Sequence, residues 1–256
     1  MKLQLLPSTI AHDGSPTGGQ HLTCFVIDDA VAIDAGSLAM AASPRQRENV
    51  RDVVLTHAHL DHIAGLPLFV DDLFATLRSP IRVHAEAAVL EVLRRDIFNW
   101  DVYPDFSELQ NEHGPVLKYS EIDPAAEFKA AHLAIEAVKV NHKVPSAGFL
   151  ISDGETRIAI SGDTAEAGGF WDAVNGADRL DALLIECAFP DEMTQLADIS
   201  HHLTPKRLDI ELNKFKTDCP VYAINIKPMY RETVVRELAE LDREITPLEV
   251  GRPYEF

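Results

Sequence analysis

Hydrophobic and polar positions divide this 256-residue chain into short apolar runs, fit for buried strands, that alternate with longer stretches of helical period. Leu22 to Ile27 is rich in strand formers and is followed by an Asp28-Asp29 turn and a second run, Val31 to Ile33. The pair is predicted to form a hairpin ending at Asp34-Ala35-Gly36-Ser37. Val53 to Leu55 is a short buried strand by the same criterion, and it stops just before a histidine-rich run. Ile63 to Leu77 carries apolar residues at 63, 66, 69, 70, 73, 74 and 77, the spacing of one face of a helix. Ile81 to Val83 reads as a strand and Glu86 to Arg95 as a helix, after which Asp96 to Asp123 is irregular and holds Phe98, Trp100, Tyr103 and Phe106. Strand-like runs return at Leu133 to Val140, Gly148 to Ile151, Ile158 to Ile160 and Leu183 to Ile185. Pro205 opens an amphipathic helix running to about Phe215, where its fixed φ suits the first turn. Val221 to Ile226 is the last buried strand and Glu232 to Leu241 the last helix. Two batches of strands, each followed by helices, predict an α/β layered architecture, with residues 1–256 forming a single domain.

Composition changes this picture little, but charge narrows it. Hydrophobic residues make up 46% and charged residues 25%, the balance of a packed soluble domain. Lys and Arg total 23 against 41 Asp and Glu, a formal net charge of -18. Such a chain repels polyanions, so long RNA or DNA is not an expected partner. A small anionic substrate remains compatible, because a bound metal can supply the positive charge that the surface lacks. Cys24, Cys187 and Cys219 are odd in number and contain no C-x-x-C pair, which fits a reducing, cytoplasmic setting better than a disulfide framework. No export signal and no membrane span are expected, since the N-terminal apolar stretch is short and no run of roughly 18 apolar residues occurs.

The candidate chemistry lies in the run His57-Ala58-His59-Leu60-Asp61-His62. In an extended segment the side chains of His57 and His59 point the same way, while a bend into the following helix turns Asp61 and His62 toward a second position. Neutral imidazoles and a carboxylate are borderline ligands that suit Zn, Mn or Fe. A polar cluster at a helix start, with Asp61 merely favouring the macrodipole, is the bland reading, and three histidines directly after a buried strand argue against it.

A T-H-x-H-x-D-H run after a short hydrophobic strand resembles the signature of the metallo-β-lactamase superfamily. The likeness continues at Asp34-Ala35-Gly36, at Val140-Asn141-His142, and at the Gly162-Asp163 turn. Within that superfamily the chain is most similar to the class II cyclic-nucleotide phosphodiesterases, through HLDHIAGL at His59 to Leu66, LIECAF at Leu184 to Phe189, HLTP at His202 to Pro205 and IKP at Ile226 to Pro228. The segment after Gly65 departs from the usual class II signature. The resemblance implies a four-layer αββα sandwich of two mixed β-sheets flanked by helices. It also implies one metal on His57, His59 and His142, a second on Asp61 and His62, and Asp163 bridging them. One or two zinc ions, or Mn or Fe, would make a water nucleophilic. Asp61 and His202 are the candidate catalytic residues, His202 as proton donor to the leaving oxygen, with His201 its alternative. The implied reaction is hydrolysis of a 3',5'-cyclic nucleotide, cAMP or cGMP, to the 5'-monophosphate.

One position departs from that pattern. Dinuclear members carry a histidine before Ile-Lys-Pro, and this chain has Asn225. A neutral amide oxygen is a weaker ligand than imidazole for zinc-like metals. A weakened second site, a site tuned to Mn or Mg, a one-metal enzyme, or an Asn225 that still binds through its oxygen all follow as alternatives, the first being preferred. Glu186, Cys187 and His21 are expected to orient ligands, and His12, His84, His113 and His132 to be ordinary surface or core residues. Phe98 to Phe106 is expected to serve the core or a homodimer contact rather than a lid that stacks a base. Rival functions are a tRNA 3'-processing nuclease, a lactonase, or a sensor that binds without turnover.

Overall fold

Backbone pairing in the computed structural model, which describes residues 1–124 and 126–256, gives sixteen strands. The first are β1 (Lys2–Leu5), β2 (Phe25–Ile27), β3 (Val31–Ile33), β4 (Asp52–Val54) and β5 (Ile81–Ala85). A small hairpin of β6 (Gln110–Asn111) and β7 (Gly114–Pro115) precedes β8 (Leu117–Glu121). Then come β9 (Phe128–Ala130), β10 (Leu133–Lys139), β11 (Ala147–Ser152), β12 (Arg157–Ile160), β13 (Ala182–Glu186), β14 (Val221–Ile224), β15 (Thr246–Pro247) and β16 (Pro253–Glu255). They form two seven-stranded sheets in the orders β16-β1-β2-β3-β4-β5-β8 and β15-β14-β13-β12-β11-β10-β9. Both are mixed. In the first sheet the pairs are antiparallel as far as β2–β3 and parallel from β3–β4 onward. In the second they are antiparallel from β9 to β12 and parallel from β12 to β15.

The two sheets pack face to face because alternate strand residues supply an apolar layer between them. Leu3, Leu5, Phe25, Ile27, Ile33 and Val54 from the first sheet meet Leu133, Ile135, Phe149, Ile151, Ile160 and Leu184 from the second. Each fully buried side chain of this kind contributes about 1.5–3 kcal/mol. The opposite face of the first sheet, with Val26, Ala32, Val53 and Val83, is covered by Leu38, Leu66, Phe69, Val70 and Leu90 from helices. The outer face of the second, with Ala159, Leu183, Ile185 and Ala223, is covered by Phe170, Val174, Leu208, Leu212, Val234 and Leu238. Four layers result, as expected. The whole is tied by Asp52 at the start of β4, which accepts from Arg82 Nε at 2.7 Å, from His84 Nε2 at 2.8 Å and from the backbone N–H of Ala131 at 3.0 Å.

Several boundaries differ from the sequence reading. The strand expected over Leu22 to Ile27 begins at Phe25, because Thr23 is drawn away to donate its N–H to the carbonyl of Asp61 at 2.8 Å. The single helix expected over Ile63 to Leu77 is instead Leu60–Ile63 followed by Gly65–Leu73, broken where the chain crosses Ala35. The strand expected to reach Ile226 stops at Ile224, since Asn225 adopts a left-handed φ of 55°. The stretch read as irregular holds β8, which pairs in parallel with β5 along five residues. Its exposed, polar alternation disguised it. Phe98 and Phe106 are core residues, whereas Trp100 is exposed and its Nε1 donates to Glu108. Among the described residues no helix is long and apolar enough to cross a membrane.

Candidate metal centre

The candidate residues sit at strand ends on one edge of the sandwich, where each sheet changes from antiparallel to parallel pairing. Asp34 follows β3 and the histidine run follows β4. Asp34 adopts a left-handed φ of 58°, a conformation that Asp tolerates better than most residues. Its carboxylate accepts from the Thr56 N–H at 2.8 Å and from the Thr56 hydroxyl at 2.8 Å. That hydroxyl has one proton, and Asp34 takes it. The His57 Nδ1–H must therefore donate to Thr56 Oγ1, at 2.9 Å, leaving Nε2 with a free lone pair. His57 Nε2 is buried and has no hydrogen-bond partner among the described residues. An adjoining short helix, Leu60–Ile63, turns His62 so that its Nδ1 meets Asp34 Oδ2 at 2.7 Å. This approach is close: a Cβ at Gly36 would stand 2.0 Å from the carbonyl of Asp61, so glycine is required there.

The second sheet supplies the other wall. His142 follows β10, and its Nδ1 lies 3.1 Å from the carbonyl of His201. A carbonyl can only accept, so the proton is on Nδ1 and the Nε2 lone pair faces inward, 3.2 Å from His59 Nδ1. Asp163 follows the Gly162 turn after β12. Its Oδ2 lies 3.4 Å from His62 Nε2 and 3.9 Å from His57 Nε2. His202 is buried, its Nδ1 held by the Glu186 carboxylate and its ring centroid 5.0 Å from that of His142. Three sets bring their ligand atoms within 4.8 Å of one another: His57, His59 and His142; His57, His62 and Asp163; His142, Asp163 and His202. Asp61 is in none of these sets. Its Oδ2 is 4.0 Å from His62 Nε2 and 3.1 Å from Lys227 Nζ.

Burial and charge set protonation as a ligand site requires. Burial pushes His57 well below the ordinary histidine value and lowers His59, and it lowers His142 to about 4. All three are then neutral, the form in which imidazole binds a metal. Burial also works against a charge on Asp163, but His62 beside it outweighs that and holds the carboxyl well below its usual range. At His202 burial again opposes the charge, and the Glu186 carboxylate outweighs it, raising the pKa. Converging neutral nitrogens, one of them orphaned, with tautomers fixed by Thr56 and a carbonyl, fit a divalent borderline ion.

Some residues lie elsewhere than the sequence suggested. His21 is exposed and its backbone N–H donates to Ser8, so it orients nothing in the cluster. His201 turns away, with Nδ1 3.0 Å from Asn141 Oδ1. Glu186 reaches His202, and Cys187 is buried with its pKa pushed well above the thiol range by burial. His84 and His132 serve structural pairs with Asp52 and Asp28. Asn225 presents its Nδ2 to Asp163 Oδ1 at 2.6 Å, while its oxygen faces Thr23 Oγ1 at 3.4 Å. The roles of Thr56 and Lys227 were missed. Thr56 had a visible signal, being the residue between strand and histidines, whereas the Asp61–Lys227 contact joins residues far apart in sequence.

A four-layer α/β sandwich with a histidine and aspartate cluster at its strand ends defines a class of hydrolases built on a divalent-metal site. Residues 28–211 match the beta-lactamase superfamily domain, well over half of the chain, and the chain belongs to the metallo-β-lactamase superfamily. A probable 3',5'-cyclic-nucleotide phosphodiesterase of Yersinia pestis is 26% identical over 215 residues, covering 73% of this chain and 60% of that relative's own length. A nuclear ribonuclease Z of Triticum aestivum is 30% identical over 142 residues, covering 54% of this chain and 73% of the relative. Unliganded yeast PDE1 superposes with a TM-score of 0.78 at 18% identity, over 98% of both chains, and shares the fold.

Proposed function

We propose that the chain is a metal-dependent phosphodiesterase acting on a 3',5'-cyclic nucleotide, cAMP or cGMP, to give the 5'-monophosphate. The observation that carries this reading is His202, buried and gripped by Glu186 beside the imidazole cluster. A ribose alkoxide is a poor leaving group, so its departure calls for a placed proton donor, and a histidine whose charged form is favoured by a carboxylate can supply it. The phosphodiesterase relative supports the same reaction class.

In this reading His57, His59 and His142 would hold the ion, with Asp163 close by. Zinc is the expected metal for a three-imidazole set, with Mn or Fe compatible. When bound, the ion supplies Lewis acidity and a water of lowered pKa. Glu186 fixes the His202 ring through Nδ1, which leaves Nε2 to give its proton to the departing 3' oxygen. Residues 1–256 act as one domain, because both sheets furnish the site.

Purified protein supplied with Zn or Mn is expected to convert cAMP or cGMP to the 5'-monophosphate, followed by chromatography. Absence of product with every metal tested would sink the reading. His202→Ala should lower kcat by about 10²–10⁴-fold, the usual scale for a general acid, with metal content unchanged. The ribonuclease Z relative motivates a second reading, a nuclease acting on tRNA ends. The net charge of -18 opposes it. A tRNA mobility shift at moderate salt would favour the nuclease.

A further inference from the structure

The walls around the cluster are unequal. On one side His57, His59 and His142 bring ligand atoms within 4.8 Å of one another: His57 Nε2 has no hydrogen-bond partner among the described residues, and the His142 Nε2 lone pair faces His59 Nδ1 at 3.2 Å. On the other side each group is already satisfied. His62 has Asp34 on Nδ1 and Asp163 3.4 Å from Nε2. Asn225 cannot offer its oxygen to that space: a carboxylate only accepts, so the amide must show its NH₂ to Asp163 Oδ1, at 2.6 Å, and its oxygen goes to Thr23. Asp61 is engaged by the Lys227 ammonium at 3.1 Å, and a dication on Asp61 would have to expel that ammonium or lie against it.

We propose that the chain carries a single metal ion, on His57, His59 and His142, and that the Lys227 ammonium, anchored by Asp61, provides the second positive charge that meets an anionic phosphate. The Lys227 side chain is 33% exposed, so it is not sealed from a ligand entering the site. This inference rests on the metal-dependent phosphodiesterase reading and departs from the two-ion arrangement that the resemblance implied for Asp61 and His62.

The test is metal stoichiometry, read without turnover. Wild-type protein titrated with Co²⁺, followed by its absorption bands, and with Zn²⁺ in equilibrium dialysis, is expected to saturate at one equivalent with metal in excess. Saturation at two equivalents overturns the inference and leaves the hydrolase reading intact, whereas no bound metal overturns both. The double variant Asn225→His/Lys227→Met should gain a second equivalent; if it stays at one, these residues do not exclude the second ion and that part is wrong. Zn-loaded Lys227→Met should bind inorganic phosphate about tenfold more weakly by calorimetry, the scale of one charged hydrogen bond. Unchanged phosphate affinity overturns the part assigned to Lys227.

Discussion

At the scale of single residues, the site depends on groups that never touch the ion. Thr56 stands between Asp34 and His57 and decides which nitrogen of His57 is free. Thr56→Val keeps the shape and removes the hydroxyl, so metal affinity should fall about 10–100-fold in a competition assay against a chelating dye, the usual cost of losing a group that orients a ligand. Circular dichroism should remain that of the native fold. The histidine run itself was legible in the sequence because its members fall within six residues and follow an apolar strand. Asn225 was legible as a departure, but the direction of its amide was not. That direction is set by the acceptor-only chemistry of Asp163, 62 positions away in sequence, which no local pattern encodes.

At the scale of elements, strands whose two faces are both buried were the easiest to read. β11, β12 and β13 are apolar almost throughout because each is covered by a sheet on one side and helices on the other. β8 escaped notice because its Lys118 and Glu121 are exposed and only Leu117 is buried, so neither alternation nor an apolar run announced it. Asp52 joins β4, β5 and the turn at Ala131, and its pH dependence can be signed. Burial opposes its charge, but hydrogen bonds from His84 and Arg82 outweigh it and hold the carboxyl at about 2. A depressed carboxyl stabilises the fold fully above its ordinary value of 3.8, and that stabilisation is lost as pH falls toward about 2. Asp52→Asn should therefore cost about 1–3 kcal/mol in urea unfolding at neutral pH, the range for a lost charged hydrogen-bond partner. The gap between variant and wild type should close as pH falls from 4 to 2; a gap constant through that window would refute the assignment to charge.

At the scale of the whole molecule, the two batches of strands suited a layered α/β domain with two sheets and outer helices as one solution, and the resemblance supplied the four-layer order that the fold shows. What the sequence alone left open was where the sheets meet the site, because that depends on strand order. Removing the ion should lower thermal stability. An ion present at about 100 times its Kd adds about 2.7 kcal/mol, so a chelator should lower Tm by roughly 5–10 °C in calorimetry for a chain of this size. A Tm indifferent to chelator would mean that the histidines hold no ion in solution. The proposed ligand residues belong to opposite sheets, His57 and His59 after β4 and His142 after β10. They can converge only once the two sheets have docked. An ion that binds only after the folding transition state would slow the unfolding step far more than it hastens folding. Shortage of metal would then leave the rate of maturation of new copies untouched and shorten the lifetime of those already made.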